Sequence, residues 1–128
     1  MRKNFSTQTP WEAIAGYSRA VRIGNVIAVS GTTASNSSGE VQHIGDAGAQ
    51  ATYIIRKIEA ALQLAGASLS DVIRTRIFVA DIADWEAVAR AHGEIFGNIR
   101  PANTLVSARM VDPRQLVEIE ADAIISHE

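Results

Sequence analysis

The sequence predicts a single α+β domain with two helices on one face of a mixed sheet. The 128 residues, 47% of them hydrophobic, suffice for one core and leave little room for a second. Two stretches repeat apolar residues at helical spacing, whereas several shorter ones alternate apolar with polar residues as strands do. In chain order these segments predict ββαβαββ, within one domain spanning residues 1–128.

The first two strands are predicted to form a hairpin. Residues 18–23 alternate polar and apolar side chains, Gly24 and Asn25 can make a tight turn, and residues 26–30 are typical of a buried strand. Residues 31–45 are rich in Ser, Thr, Asn and Gly and lack a period, which predicts a loop.

Two helices are predicted from period and end signals. The first begins at Asp46, a suitable N-cap, and ends at Gly66. The second ends at Gly97. One face of the second helix carries Trp85, Val88, Ala89, His92, Ile95 and Phe96.

The last three strands are predicted at residues 72–80, 104–111 and 117–125, with Pro113 setting a turn before the final strand. Two helices cover only one face of such a sheet. An uncovered sheet face that stays apolar is normally buried by self-association, so we expect a closed homo-oligomer.

The composition argues against several kinds of chemistry. The chain has no cysteine, which excludes disulfides, a thiolate nucleophile and cysteine-bound metal centres. Histidines 43, 92 and 127 lack the close spacing of ligands on one helix, so we expect no metal site. The formal net charge of −2, without a block of Lys and Arg, argues against a nucleic-acid partner.

The sequence also lacks signals for membranes or export. Apolar runs such as residues 26–29 are far too short to cross a bilayer, and the first five residues do not lead into the apolar stretch of a signal peptide. We therefore expect a cytoplasmic protein without a membrane partner.

The final predicted strand carries all its carboxylates on one face. Its period of two places Glu118, Glu120 and Asp122 together. In one interpretation these acids are solvated and paired with Arg109, with Arg114, or with the strand that carries Arg74 and Arg76. In the other, one carboxyl lies in a cleft at a subunit boundary, where burial raises its pKa for general acid/base work.

Other candidate residues are weaker on local pattern alone. Ser30 and Gly31 end a strand in a small-residue turn that could bring backbone N–H groups close to a ligand, although most such pairs are plain turns. Tyr17 is either a pocket wall or a surface aromatic. His92 is either a satisfied core or interface histidine or a functional one.

Several motifs, in order, resemble the Rid family, also called YjgF or endoribonuclease L-PSP. They extend from about Gly16 to Ala123, nearly the whole chain. They are Gly16-Tyr17, Gly24-Asn25, Val29-Ser30-Gly31, Ala60-Ala61-Leu62, Ala65-Gly66-Ala67, Arg76-Ile77-Phe78-Val79, Arg100-Pro101-Ala102 and Val117-Glu118-Ile119-Glu120-Ala121. The resemblance implies a chorismate-mutase-like fold and a homotrimer whose sheets form a central barrel, with three ligand pockets between neighbouring subunits. It implies no cofactor.

The resemblance also implies an activity and roles for residues. Typical members hydrolyse reactive enamines and imines to 2-ketoacids and ammonia, and an arginine directly after a Pro-Ala pair holds the substrate carboxylate. Here that position is Asn103, which is shorter and uncharged. Glu118 matches the acid that positions the attacking water. The remaining implied pocket residues are Tyr17, Ser30, Gly31, Trp85 and His92.

Two functional hypotheses follow from the resemblance. The preferred one is a Rid-type hydrolase or deaminase for an imine, enamine or related carbonyl compound that lacks a carboxylate at the usual place. In it Glu118 orients water. Asn103, expected close to Glu118 on the neighbouring strand, holds a polar substrate oxygen together with the Ser30-Gly31 amides. The alternative is a non-catalytic metabolite-binding or regulatory trimer. Ribonuclease or translation-inhibitor activity has less support, because the chain has no basic stripe.

Overall fold

The computed structural model describes residues 1–7 and 9–126, so His127 lies outside the described residues. Its core is one six-stranded sheet in the order β1-β2-β3-β6-β4-β5. The strands are β1 Arg2–Phe5, β2 Ala20–Ile23, β3 Val26–Thr33, β4 Val72–Val79, β5 Ala102–Ser107 and β6 Val117–Ile124. The helices are α1 Pro10–Ala15, α2 Ala47–Leu64 and α3 Trp85–Phe96. The α+β class and the mixed sheet are confirmed.

Strand β6 lies between β3 and β4 and pairs antiparallel with both, whereas β4 and β5 are parallel. Every second residue of β6 is buried from Val117 to Ala123. These side chains face α2, which packs on β3 and β6 and also against α3. The alternation seen in the sequence therefore separates a helix-covered face from an open face that carries the three acids.

The predicted helix ends are confirmed. The side chain of Asp46 accepts a hydrogen bond of 3.0 Å from the backbone N–H of Ala49, as an N-cap does. Gly66 takes φ +88° just beyond the C-cap Ala65, a conformation that glycine adopts without steric cost. Gly97 caps the second main helix.

Two elements at the start of the chain extend the predicted order. Strand β1 pairs with β2 at the sheet edge, and its polar side chains give no clear alternation. Helix α1 has only six residues, too short for a helical period to be visible. Its start is fixed by a capping box between Thr9 and Glu12 and by Pro10 in the first turn.

Two predicted strand bounds are wrong. The loop predicted from residue 31 begins later, because β3 continues through a bulge after Val29 and pairs Thr33 with Glu118. Strand β5 occupies Ala102–Ser107 rather than residues 104–111. Its partner β4 ends at Val79, opposite Ser107, so the chain beyond has no strand to pair with.

The open face of the sheet is charged at its centre and apolar at one end. Arg76 forms ion pairs of 3.1 Å with Glu120 and 3.2 Å with Asp122, which confirms the solvated, paired interpretation for those two acids. The apolar end of this face consists of three residues on neighbouring strands that are each about half exposed: Ile23, Val26 and Ile124.

No helix in the described part of the chain is both long and apolar enough to cross a bilayer.

Candidate active site

A cavity of about 850 Å³ opens where β3, after its bulge, pairs with the start of β6. Its apolar wall comes from α1, α2 and the segment before the last strand, with Trp11, Leu64 and Val111 among its residues. Its polar lining includes Arg19, Lys57 and Glu118. This combination of an apolar wall with a few convergent charged groups is typical of small-molecule sites.

Glu118 lies directly against the backbone of Gly31. A Cβ atom added at Gly31 would overlap Oε2 of Glu118, so only glycine leaves the carboxylate its present position. Burial raises the pKa of Glu118, the charge of Glu120 adds to the rise, and the charge of Arg19 opposes it. A partly buried carboxyl with a raised pKa holds a proton more readily than an exposed one, which suits it to exchange a proton with a water or substrate.

Arg19 and Tyr17 border the same glycine. Nη2 of Arg19 donates a 2.7 Å hydrogen bond to the carbonyl oxygen of Gly31. The guanidinium carbon lies 5.8 Å from the ring centroid of Tyr17, within the range of a cation–π contact. Two charged side chains thus approach Gly31: the carboxyl of Glu118 occupies the space that a Cβ would take, and Arg19 binds its carbonyl oxygen.

Lys57 reaches the cavity from the exposed side of α2. Its ammonium donates hydrogen bonds of 2.7 Å to the carbonyl of Thr33 and 2.8 Å to that of Ser35. Burial, followed by the charge of Arg19, lowers the pKa of Lys57 to about 8. Because this pKa is about 8, part of the Lys57 population loses its positive charge at mildly alkaline pH.

Ser30 is predicted as a ligand contact but does not line the cavity. Its hydroxyl donates a 2.6 Å hydrogen bond to the carbonyl of Ser18, and its backbone N–H donates to the carbonyl of Arg19 at 3.0 Å. These bonds tie β3 to the segment before β2 and so fix the bulge that presents Gly31.

Asn103 and His92 form a separate cluster around Thr75. Nδ2 of Asn103 donates to the hydroxyl of Thr75 at 2.9 Å, and that hydroxyl lies 2.9 Å from Nε2 of His92. Burial lowers the pKa of His92, which favours the neutral ring and allows Nε2 to accept from Thr75. His92 borders a second, shallower pocket of about 290 Å³ beside Phe96 and Pro101.

The order of the strands explains why the predicted site residues fall into two separate groups, one around Glu118 and one around Thr75. Strand β4 separates β5 from β6, and Asn103 lies opposite Thr75, whereas Glu118 lies opposite Phe78. The expectation that the strand of Asn103 runs beside that of Glu118 is therefore wrong within one chain. Trp85, at the start of α3, is half exposed and lines neither pocket.

Sequence reasoning found Tyr17, Gly31 and Glu118 but missed both cations of the cavity. Arg19 stands in an alternating segment where it is indistinguishable from an outward-facing strand residue. Lys57 follows Arg56 on the polar side of a helix, where lysines are normally solvated. One available signal was the position of Arg19 two residues after a candidate pocket tyrosine.

Comparisons with known proteins agree on one family. The model of the family described as "Endoribonuclease L-PSP" matches residues 7–125. The chain is 36% identical over 110 residues to a protein of Acinetobacter baylyi named 3-aminoacrylate deaminase RutC, covering 86% of this chain and 87% of that relative.

Solved structures show the same fold. A member of the YjgF/YER057c/UK114 family from Mycobacterium tuberculosis superposes with a TM-score of 0.88 at 44% identity, covering 98% of this chain and all of that one. The YjgF gene product of Escherichia coli superposes with a TM-score of 0.81 at 30% identity, covering 95% of this chain and 98% of that one.

Proposed function

Because the chain belongs to the endoribonuclease L-PSP family, also called YjgF or Rid, we propose that it is a hydrolase that deaminates an enamine or imine. The observation that carries this proposal is the partly buried carboxyl of Glu118, set against Gly31 in a ligand-sized cavity. The deaminase name of the Acinetobacter relative supports the same reaction class.

In the proposed reaction the carboxylate of Glu118 accepts a proton from a water as that water's oxygen bonds to the imine carbon. The C=N electron pair moves to nitrogen, which takes the proton from Glu118 and gives a tetrahedral adduct with one hydroxyl and one amino group. Glu118 then carries the hydroxyl proton to the amino nitrogen as the C–N bond breaks, so both protons of the water end on ammonia and the net change is imine plus water to carbonyl compound plus ammonia. An enamine enters the same path after protonation at carbon.

The rest of the cavity supports this step without a cofactor. Tyr17 forms part of the wall, and Gly31 lets the carboxylate of Glu118 and the substrate approach one backbone segment closely. Ser30 holds that segment in its bulge through its bond to Ser18. A small-molecule substrate fits this site better than a polymer does, because the cavity is concave and its wall largely apolar.

We further propose that the protein acts as a homotrimer in the cytoplasm. The exposed edge strand β5 and the half-exposed apolar cluster of Ile23, Val26 and Ile124 are surfaces that self-association would cover. In a trimer, Asn103, His92 and Trp85 can contribute to a pocket only across a subunit boundary. Sedimentation equilibrium tests this, since the assembly should have three times the 13.7 kDa mass of the chain.

The activity is tested with imines generated in situ by an amino-acid oxidase, following release of the ketone product. Wild type should accelerate hydrolysis, and Glu118→Gln should lower the rate by roughly 10²–10⁴-fold, the usual loss when a general base is removed. Glu86→Gln, which removes an exposed carboxylate on α3, is the control and should keep the wild-type rate.

Equal rates in wild type and Glu118→Gln would contradict the proposal. If ligands raise the melting temperature of the wild type without turnover, the non-catalytic binding protein becomes the better account, because binding to the native state alone stabilises it.

A further inference from the structure

The cavity contains an arginine that forms no ion pair within the described part of the chain, although its charge favours the ionised form of Glu118. Arg19 takes part in none of the ion pairs found among residues 1–7 and 9–126. Its Nη2 is bound to a neutral carbonyl, that of Gly31, and its Nε is buried without a hydrogen-bond partner there. A guanidinium in this condition is costly unless something else neutralises it.

A second cation lines the same cavity. Among residues 1–7 and 9–126, the ammonium of Lys57 binds the neutral carbonyls of Thr33 and Ser35, and these two bonds leave one of its three N–H donors uncommitted there. Burial is the larger cause that lowers the pKa of Lys57 and the charge of Arg19 is the second, so the two cations are close enough to repel each other.

The charge balance of the described lining is positive. The two carboxylates that border the cavity are Glu118 and Asp112, and Asp112 is already paired with Arg114 at 2.7 Å. Arg19 and Lys57 therefore face one free carboxylate, Glu118, or none when it is protonated. A cavity with an excess of one or two positive charges and an apolar wall attracts a small anion with an apolar body.

We infer that Arg19 and Lys57 form an anion-binding subsite that holds a carboxylate of the substrate beside Glu118. The inference rests on the proposed function only in taking the Glu118 cavity as the ligand site. Guanidinium geometry suits a carboxylate, and Nη1, which makes no hydrogen bond in the described residues and is not sealed from solvent, remains available for it. The substrate is accordingly an enamine or imine that carries a carboxylate.

Binding of a matched ligand pair tests this without any turnover. Pyruvate and pyruvamide have nearly the same shape and differ in charge, and isothermal titration calorimetry measures both. Wild type should prefer pyruvate at least tenfold, and Arg19→Gln should weaken pyruvate binding roughly ten- to hundredfold while leaving pyruvamide unchanged, as expected for a lost charged hydrogen bond.

A control variant on α2 distinguishes the loss of a contact with the ligand from the general loss of one positive charge. Arg56 directly precedes Lys57 and is an exposed cation that pairs with Glu59. Arg56→Gln removes this charge and should leave pyruvate binding within twofold of wild type. Lys57→Met keeps an unbranched side chain one atom shorter and removes the charge, so it should weaken pyruvate binding with no effect on pyruvamide.

Proton uptake gives a second readout that needs no variant. An anion beside Lys57 stabilises its charged form, so pyruvate binding at pH 8 should take up a fraction of a proton, measured by titration in buffers of different ionisation enthalpy. The other charged groups of the lining are Arg19, Glu118 and Asp112, so the Lys57 variant is needed to assign the uptake. Lys57→Met should abolish the uptake.

The outcomes separate this inference from the proposed function. Equal wild-type affinity for pyruvate and pyruvamide, no binding of pyruvate, or an unchanged preference in Arg19→Gln would each overturn the anion subsite. Arg19-dependent pyruvate binding together with no imine hydrolysis would support the subsite and count against the proposed reaction alone.

Discussion

Replacing Gly31 by alanine should remove activity while leaving the fold intact. A Cβ at this position would overlap Oε2 of Glu118 and come within 3.1 Å of its Cδ, whereas no backbone atom lies among its nearest neighbours. The carboxyl end of a glutamate can rotate away at small energetic cost. Gly31 also lacks the positive φ that would make alanine strained.

The magnitudes follow from this geometry. Removing the steric conflict requires the carboxylate to move by at least an ångström, and misplacing a catalytic group by that distance costs on the order of 10²-fold in rate. The free energy of unfolding should change by less than about 1 kcal/mol, since alanine gains roughly 0.4–1 kcal/mol from the lower entropy of the unfolded chain.

The assay compares kcat/KM for imine hydrolysis with urea unfolding in the same preparation. Gly93→Ala is the control, because a Cβ there meets no atom within 4 Å and the residue lies in α3, away from the Glu118 cavity. It should keep full activity and gain stability from alanine's higher helix propensity, about 1 kcal/mol.

Two results would refute the reasoning for Gly31. If Gly31→Ala retained the wild-type rate, the position of the Glu118 carboxylate would be irrelevant to catalysis. If the variant lost several kcal/mol of stability, the backbone rather than the carboxyl end would be absorbing the conflict.

The remaining predictions concern stability. Burial opposes ionisation of Glu12, but hydrogen bonds from Ser6, Thr7 and Thr9 outweigh it and lower its pKa to about 2, below the ordinary 4.5. The stabilisation that comes from the ionised Glu12 is present above pH 4.5 and is lost as the pH falls toward 2. In urea unfolding, the wild type should lose about 1–3 kcal/mol of unfolding free energy over that range, whereas Glu12→Gln should not show this loss. Gln50 is fully buried, donates to the carbonyl of Arg114 at 3.0 Å and accepts from the N–H of Leu116 at 2.8 Å. Gln50→Leu should cost about 2–4 kcal/mol in the same assay, against little change in the exposed control Gln63→Leu, and an equal effect of the two would contradict the assigned bonds.

The parts of the fold that depend on neighbouring residues in sequence were predictable. The alternation of β6 and the N-cap and terminal glycine of α2 are local signals, and both appear where expected. Helix α1 was missed because six residues show no period and its start depends on a buried Glu12, which bonds residues on the preceding segment.

Only part of the candidate site could be predicted from the sequence. The resemblance to the family singled out Glu118 among the acids of its strand, and it singled out Gly31 through the Ser-Gly pair, because the local pattern of either segment is weak by itself. Arg19 and Lys57 converge through the bulge of β3 and the packing of α2, which no local pattern reveals. Asn103 was wrongly placed beside the strand of Glu118 because β4 enters the sheet between strands that follow one another in the chain.

The most direct test of the central claim is a crystal structure of the protein soaked with pyruvate. Pyruvate is predicted in the cavity of about 850 Å³, with its carbonyl carbon next to Glu118 and its carboxylate on Arg19. Pyruvate bound only beside His92, or a Glu118 cavity without ligand at saturating pyruvate, would contradict it.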